Sequence, residues 1–307
     1  MTPELVIVGS GPAGVSAALW ARSRDLEALV LESSEVAGGQ LHHVHFQPRD
    51  LPGVRGRAGP AVAAIFAAQL RDAAVRVRYG VTVETLEYSS PDSDRPVIVT
   101  SAGERIACQA VLVVTGARRR RLDVPGEREF EERGVSYSAT RDRDRLRGRA
   151  VAVVGGGDAA YENALILAAA GCDVTLVVRG APRSRREFRD RVAAEPRIRI
   201  VQDARVTALV GADRLEALVL AGPGGERRLA VEGVVIKVGD VPNTEWCRGV
   251  IELDPDGFVV VDGHFRTSRA RVWAAGDVVR TPLPSIAVAI GTAALAVADV
   301  RERLRGG

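Results

Sequence analysis

Leu5-Val-Ile-Val-Gly9-Ser-Gly11-Pro12-Ala13-Gly14, running on into Ala17, Ala18 and Trp20, reads as a short buried strand, a glycine turn and the start of a helix. Each glycine has a physical task. Gly9 makes the tight turn, Gly11 lets the backbone approach a pyrophosphate, and Gly14 allows close helix packing, with the phosphates at the positive helix end. The next apolar run, Ala28 to Leu31, ends at Glu32. That is near the spacing of about 20 residues at which a carboxylate accepts hydrogen bonds from ribose hydroxyls and repels a 2′-phosphate.

The motif occurs again at Val151-Ala-Val-Val-Gly155-Gly-Gly157-Asp158-Ala159-Ala160, with Ala160 in the place of the third glycine. The strand that follows, Val174 to Val178, runs into Arg179, with Arg183, Arg185 and Arg186 behind it and no carboxylate before Glu187. Arginine pairs bidentately with a 2′-phosphate, so the second turn favours NADPH over NADH. Two more apolar runs return the chain to the first half: Ala110 to Val114 leading to Thr115-Gly116-Ala117, and Arg271 to Ala275 leading to Gly276-Asp277. The expected fold is α/β, two Rossmann-like nucleotide-binding domains with the second inserted in the first. Residues 1–117 and 245–307 form the outer domain and 118–244 the inserted one, with linker chemistry at Arg121–Gly126 and Asp240–Asn243.

The chain has 307 residues, a length suited to two domains, and no stretch near the roughly 18 consecutive apolar residues of a membrane span. The N-terminus has no basic segment ahead of its apolar run, so no cleavable signal is expected. Cys108, Cys172 and Cys247 are widely spaced and odd in number, which points to neither a disulfide framework nor a metal cluster. A cytoplasmic location is the expectation. Forty-two basic residues against 39 acidic ones leave a net charge of +3, too balanced for a nucleic-acid footprint. Almost all the basic residues are arginine; Lys237 is the sole lysine.

Taken in order, Gly9 to Gly14, Gly38-Gly39-Gln40, Leu51-Pro52-Gly53, Thr115-Gly116-Ala117, Gly134-Val135-Ser136, Gly155 to Asp158, Val238-Gly239, Pro242-Asn243-Thr244 and Ala274 to Asp277 resemble the motifs of the low-molecular-weight thioredoxin reductases. These are flavoproteins of the pyridine nucleotide-disulfide oxidoreductase class. The resemblance implies FAD in the outer domain, NADPH in the inserted one, and a homodimer. By position it puts Gly9 to Gly14 and Glu32 on the FAD pyrophosphate and ribose, Gly39, Gln40 and Leu41 near the flavin, Thr115 and Gly116 on the returning strand, and Gly276 and Asp277 at the ribityl chain. Ser285, Ile286 and Ala287 open a helix whose positive end faces the flavin pyrimidine edge, although the family usually has Arg-Gln at Pro284-Ser285. In the inserted domain Gly155, Gly157, Asp158, Ala159, Arg179 and Arg183 fall on the NADPH positions.

One departure decides the functional reading. Where the family carries Cys-x-x-Cys, this chain has Ser138-Ala139-Thr140-Arg141, followed by Asp142 as in the family. Neither a hydroxyl nor a guanidinium can form the thiolate and disulfide of the exchange, so family-style thioredoxin reduction is excluded. Electrons from NADPH must leave the FAD for an external acceptor, either an acidic ferredoxin-like or flavodoxin-like protein or a small molecule. Arg118 to Arg121 and Arg141 to Arg149 suit steering of an acidic partner. The ferredoxin-type reductases resemble one another in a C-terminal flavin-covering segment, and after Arg301-Glu-Arg-Leu-Arg-Gly-Gly none is expected here. Asp142 and the histidines at 42, 43 and 45, with His45 the leading candidate, are the proton-transfer residues to examine; a packing role for the histidines stands beside it. Other readings stay open: a flavin-binding sensor or interaction protein without turnover, and a flavoenzyme fed by a reduced partner with a vestigial NADPH site.

Overall fold

The computed structural model describes residues 2–45, 47–48, 50–89 and 94–306. Six α-helices lie among them: α1 (Pro12–Ser23), α2 (Gly59–Asp72), α3 (Ala139–Leu146), α4 (Asp158–Ala169), α5 (Arg186–Ala193) and α6 (Ile286–Arg305). None of the described helices is long and apolar enough to cross a membrane.

Two compact units divide the chain, residues 1–118 with 241–307 and residues 119–240. The first is built on a five-stranded parallel sheet in the order Val272–Ala274, Ala110–Val113, Leu5–Val8, Ala28–Leu31, Arg76–Arg78. Successive side chains of a strand face opposite ways. Leu5 and Ile7 therefore pack with Ala17 of α1 and Val297 of α6. Val6 and Val8 pack with Leu86, Ile98 and Ile106 of a small antiparallel sheet. Coverage on both faces explains why the strand reads as an unbroken apolar run.

The second unit repeats the plan with the parallel order Ile198–Gln202, Asp173–Val178, Ala150–Val154, Gly233–Ile236, Val135–Ser136. Val151 and Val153 face Ala164 and Leu167 of α4, and Ala152 and Val154 face Leu209, Leu218 and Leu220 of a three-stranded antiparallel sheet. In each unit the central strand ends in a glycine turn, and the chain order reverses on either side of it. That reversal opens the crevice in which α/β sheets bind nucleotides. The two crossings, Ala117–Arg119 and Asp240–Pro242, pair as a two-stranded ribbon. Asn243 belongs to the first unit because its N–H donates to the Gly116 carbonyl at 2.9 Å and its Nδ2 to the Thr115 carbonyl at 2.8 Å.

Candidate active site: two nucleotide turns and a replaced relay

The first glycine turn is sterically specified except at one residue. A Cβ on Gly9 would lie 2.6 Å from the Val114 carbonyl oxygen, and one on Gly14 would lie 2.0 Å from the Gly9 oxygen. A Cβ on Gly11 would meet nothing within 4 Å. Packing therefore demands Gly9 and Gly14, whereas the space in front of Gly11 suits a ligand. Gly11 is also the N-cap of α1 and supplies no side-chain hydrogen bond, so the first N–H groups of that helix are open to an anion. Glu32 is 6% exposed; its Oε2 accepts from the Ser10 N–H and hydroxyl, each at 2.7 Å, and its Oε1 from the Ser34 N–H at 2.8 Å.

Further segments close on the same turn. The Gly38 N–H donates to the Ser10 carbonyl at 2.9 Å, and a Cβ on Gly39 would sit 3.1 Å from the Gly11 Cα. Gln40 reaches the Ala117 carbonyl at 3.0 Å, and Leu41 is buried with Ile286. Gly276, in the left-handed region at φ 74°, would bring a Cβ within 2.8 Å of that of Ala13, and its N–H donates to the Thr292 hydroxyl. Ser285 caps α6 by accepting from the Val288 N–H at 3.3 Å, one residue before Ile286 and two before Ala287. The structure thus gathers the outer-domain residues named from sequence, together with Asp277 beside Gly276. It adds Ser10, Asn243 and Thr292, whose roles depend on distant partners and give no local sequence signal.

The second turn follows the same logic. A Cβ on Gly155 would lie 2.1 Å from the Lys237 carbonyl oxygen, one on Gly157 would meet nothing within 4 Å, and Gly157 leaves α4 without a side-chain cap. Ala160, fully buried, stands where Gly14 stands in the first unit. The loop after Val178 folds over the turn, with the Arg183 N–H donating to the Gly156 carbonyl at 2.8 Å. Asp158, beside Ala159 at the start of α4, accepts from the Arg185 backbone and Nε, both at 2.7 Å. That pairing offsets its repulsion of a phosphate. Arg179 and Arg183 are exposed at the same edge.

Residues 138 to 142, where the family resemblance puts the dithiol, form a structural cap. Ser138 Oγ accepts from the Arg141 N–H at 3.3 Å and caps α3. Arg141 turns its guanidinium onto Asp142, with Nε and Nη2 at 3.0 and 2.8 Å from Oδ2. Ser136 donates to the same oxygen at 2.5 Å, and Asn163 of α4 accepts from the Ala139 N–H. Burial raises the Asp142 carboxyl, but the hydrogen bonds from Arg141 and Ser136 and the charges of Arg141 and Arg145 outweigh it, so it lies below the ordinary carboxylate value. Asp142 is held as an anion in this arrangement.

The family model of the pyridine nucleotide-disulphide oxidoreductases matches residues 3–294. The chain belongs to that family. It is 34% identical to a thioredoxin reductase of Streptomyces clavuligerus over 98% of this chain and 94% of that one. Similarity at 30% identity extends to an NADH dehydrogenase of Bacillus subtilis, covering 95% of this chain and 57% of that protein. Among solved structures, a Lactococcus lactis thioredoxin reductase superposes with a TM-score of 0.84 at 30% identity, over 98% of both chains. The chain is an FAD-containing NAD(P)H oxidoreductase of this family, whose thioredoxin reductases use FAD and NADPH.

The remaining thiols offer this family member no substitute relay. Cys108, Cys172 and Cys247 are unpaired and at most 1% exposed. Burial pushes the thiols of Cys108 and Cys247 up to about 12 and raises Cys172, so none forms a thiolate readily. His42 sits 2.9 Å from the Ala37 carbonyl and packs at the Gly38 turn, and His45 is exposed. No three His, Cys, Asp or Glu side chains gather as a metal would require among the described residues.

Proposed function

We propose that this chain oxidises NADPH through FAD and passes the electrons directly to an external acceptor, with no dithiol of its own. The supporting observation is the state of residues 138 to 142: both former thiol positions carry structural bonds, and the neighbouring acid is ion-paired. Bound FAD supplies a two-electron carrier that can be reduced by hydride. The protein's part is to hold it. The open N-terminus of α1 receives the pyrophosphate, Glu32 the ribose, and the turn at Gly276-Asp277 the ribityl chain, while Ser285 fixes the start of α6 toward the ring. In the inserted unit the Gly155–Gly157 turn and α4 receive the NADPH pyrophosphate, and Arg179 and Arg183 its 2′-phosphate. Those two side chains support NADPH over NADH, because Arg185 is already committed to Asp158.

A small-molecule acceptor is favoured over an acidic protein. Of the nine arginines at 118–121 and at the odd positions 141–149, Arg118, Arg121, Arg141, Arg145, Arg147 and Arg149 have a carboxylate within 4.0 Å, which weakens the field that would steer such a partner. The same reading takes the enzyme as a cytoplasmic homodimer, with His45 available for proton transfer at the exposed end of the Gly39–His43 turn. The test is anaerobic titration with NADPH, followed by turnover assays with quinones, dyes, a ferredoxin and thioredoxin. The flavin should bleach and be reoxidised by small acceptors but not by thioredoxin. A flavin that stays yellow refutes the NADPH half; efficient transfer to thioredoxin refutes the whole.

A further inference from the structure

The two glycine turns stand on the same scaffold, so equivalent positions can be compared. The carbonyl that closes on Gly9 comes from Val114, just after Ala110–Val113, and the one that closes on Gly155 comes from Lys237, just after Gly233–Ile236. Each strand flanks the central strand of its sheet, and each residue is followed two places later by a left-handed glycine, Gly116 at φ 64° and Gly239 at φ 96°. Val114 is 3% exposed and packs its Cγ2 beside Gly14. The scaffold therefore accepts an apolar residue here, and packing does not call for the only lysine in the chain.

Lys237 is half-buried, and its ammonium has no hydrogen-bond or ion-pair partner among the described residues. Burial and the charge of Arg119 push it down to about 8, against an opposing pull from Asp240 and Glu162. The uncapped, positive end of α4 lies at the same sheet edge. A desolvated cation beside a second cation and a positive helix end is unfavourable until an anion arrives. The sheet order says which part of a dinucleotide that is. Arg179 and Arg183 follow Asp173–Val178 on one side of the central strand, and Lys237 follows Gly233–Ile236 on the other. A dinucleotide laid across the reversal point turns its adenosine toward the first and its nicotinamide half toward the second.

We propose, resting on the NADPH reading of this turn, that Lys237 is a positioning residue that binds the nicotinamide-side phosphate of the dinucleotide. The amine must be charged to do so, so the affinity it confers is present below pH 8 and lost above it. The experiment is isothermal titration of the flavin-loaded protein with NADP+ and with 2′,5′-ADP, at pH 7 and pH 9, for the parent, Lys237→Met and Lys237→Arg. In the parent, NADP+ binding should weaken about fivefold from pH 7 to pH 9, as the free amine, titrating near 8, falls from about nine-tenths to about one-tenth charged while the phosphate keeps the bound one charged to about pH 9. Lys237→Met should bind NADP+ about tenfold more weakly at pH 7 and show no further loss at pH 9. Lys237→Arg, charged throughout, should bind equally at both pH values. All three should bind 2′,5′-ADP alike, because that ligand lacks the nicotinamide-side phosphate. Unchanged NADP+ binding by Lys237→Met, or an equal loss of 2′,5′-ADP binding, overturns the proposal alone. A parent that binds neither ligand overturns the NADPH reading and the proposal with it.

Discussion

Restoring the lost dithiol by Ser138→Cys with Arg141→Cys should weaken the inserted unit, because the residues now there hold it together. Ser138 caps α3 through the Arg141 N–H, and loss of such a cap costs about 1 kcal/mol. Arg141 donates twice to Asp142, whose side chain is 9% exposed. Removing one partner of a fully buried pair costs about 3–5 kcal/mol and of an exposed pair about 0–1 kcal/mol. Arg141 is 36% exposed and Arg145 remains 3.5 Å from the carboxylate, so the loss should be about 1–2 kcal/mol. For the reduced double variant the combined effect is about 2–3 kcal/mol, with some coupling because the two residues touch. The assay is denaturant unfolding under reducing conditions. Trp20, Trp246 and Trp273 lie in the first unit with Tyr79 and Tyr88, whereas Tyr137 and Tyr161 lie in the second. The part of the tyrosine signal that comes from Tyr137 and Tyr161 should therefore shift to lower denaturant, broadening the tyrosine transition, while tryptophan emission holds. A double variant within about 0.5 kcal/mol of the parent would refute the claim that the relay site has been rebuilt for structure. Thioredoxin turnover gained at no cost in stability would refute it more directly.

Asp142→Asn should lower stability at pH 7 by about 1 kcal/mol and flatten its acid dependence. The folded carboxyl lies below its ordinary value of 3.8, so its stabilisation is complete above that value and lost as pH falls through the folded pKa. Parent and variant melts should converge once the pH is below the folded value. Gly11→Ala should leave thermal stability nearly unchanged, since its Cβ meets nothing within 4 Å, yet copurify with little flavin at 450 nm. Gly14→Ala should fail to fold normally, its Cβ colliding with the Gly9 carbonyl. The three buried thiols should resist an aromatic disulfide reagent in the native protein and all react after denaturation; rapid native labelling would reopen a redox role for them.

The sequence carried the scaffold because a strand buried on both faces must be apolar throughout and a turn against the next strand's carbonyl must be glycine. Leu5–Val8, Ala150–Val154 and both glycine turns show this directly. Glu32 was readable from its distance to Gly9, and Ser285 from capping chemistry. What could not be read were bonds between remote positions. Ser10 to Glu32, Thr292 to Gly276 and Asn243 to Thr115 span 16 to 128 residues, and nothing in a local window requires them. The arginine runs were the other gap. A count of basic residues between 118 and 149 does not show which of them are paired: Glu131, Asp142 and Asp144 lie in the same stretch, but Glu232 and Glu245 come from separate segments.

Residues 136 to 142 make structural bonds at the place where the family resemblance puts a redox relay. The first thiol position opens α3, where a serine makes a better cap than a cysteine because its oxygen is the stronger acceptor. The second precedes the acid, where an arginine can reach back to the carboxylate without moving the helix. Both residues stabilise α3 where it stands, and neither can carry electrons in pairs. The two glycine turns, by contrast, keep open faces at Gly11 and Gly157. The space in front of Gly11 and Gly157 and, among the described residues, the unpartnered ammonium of Lys237 are features that packing does not require, since valine stands at the matching position 114 of the first unit, and all three fit a protein that still holds its nucleotides.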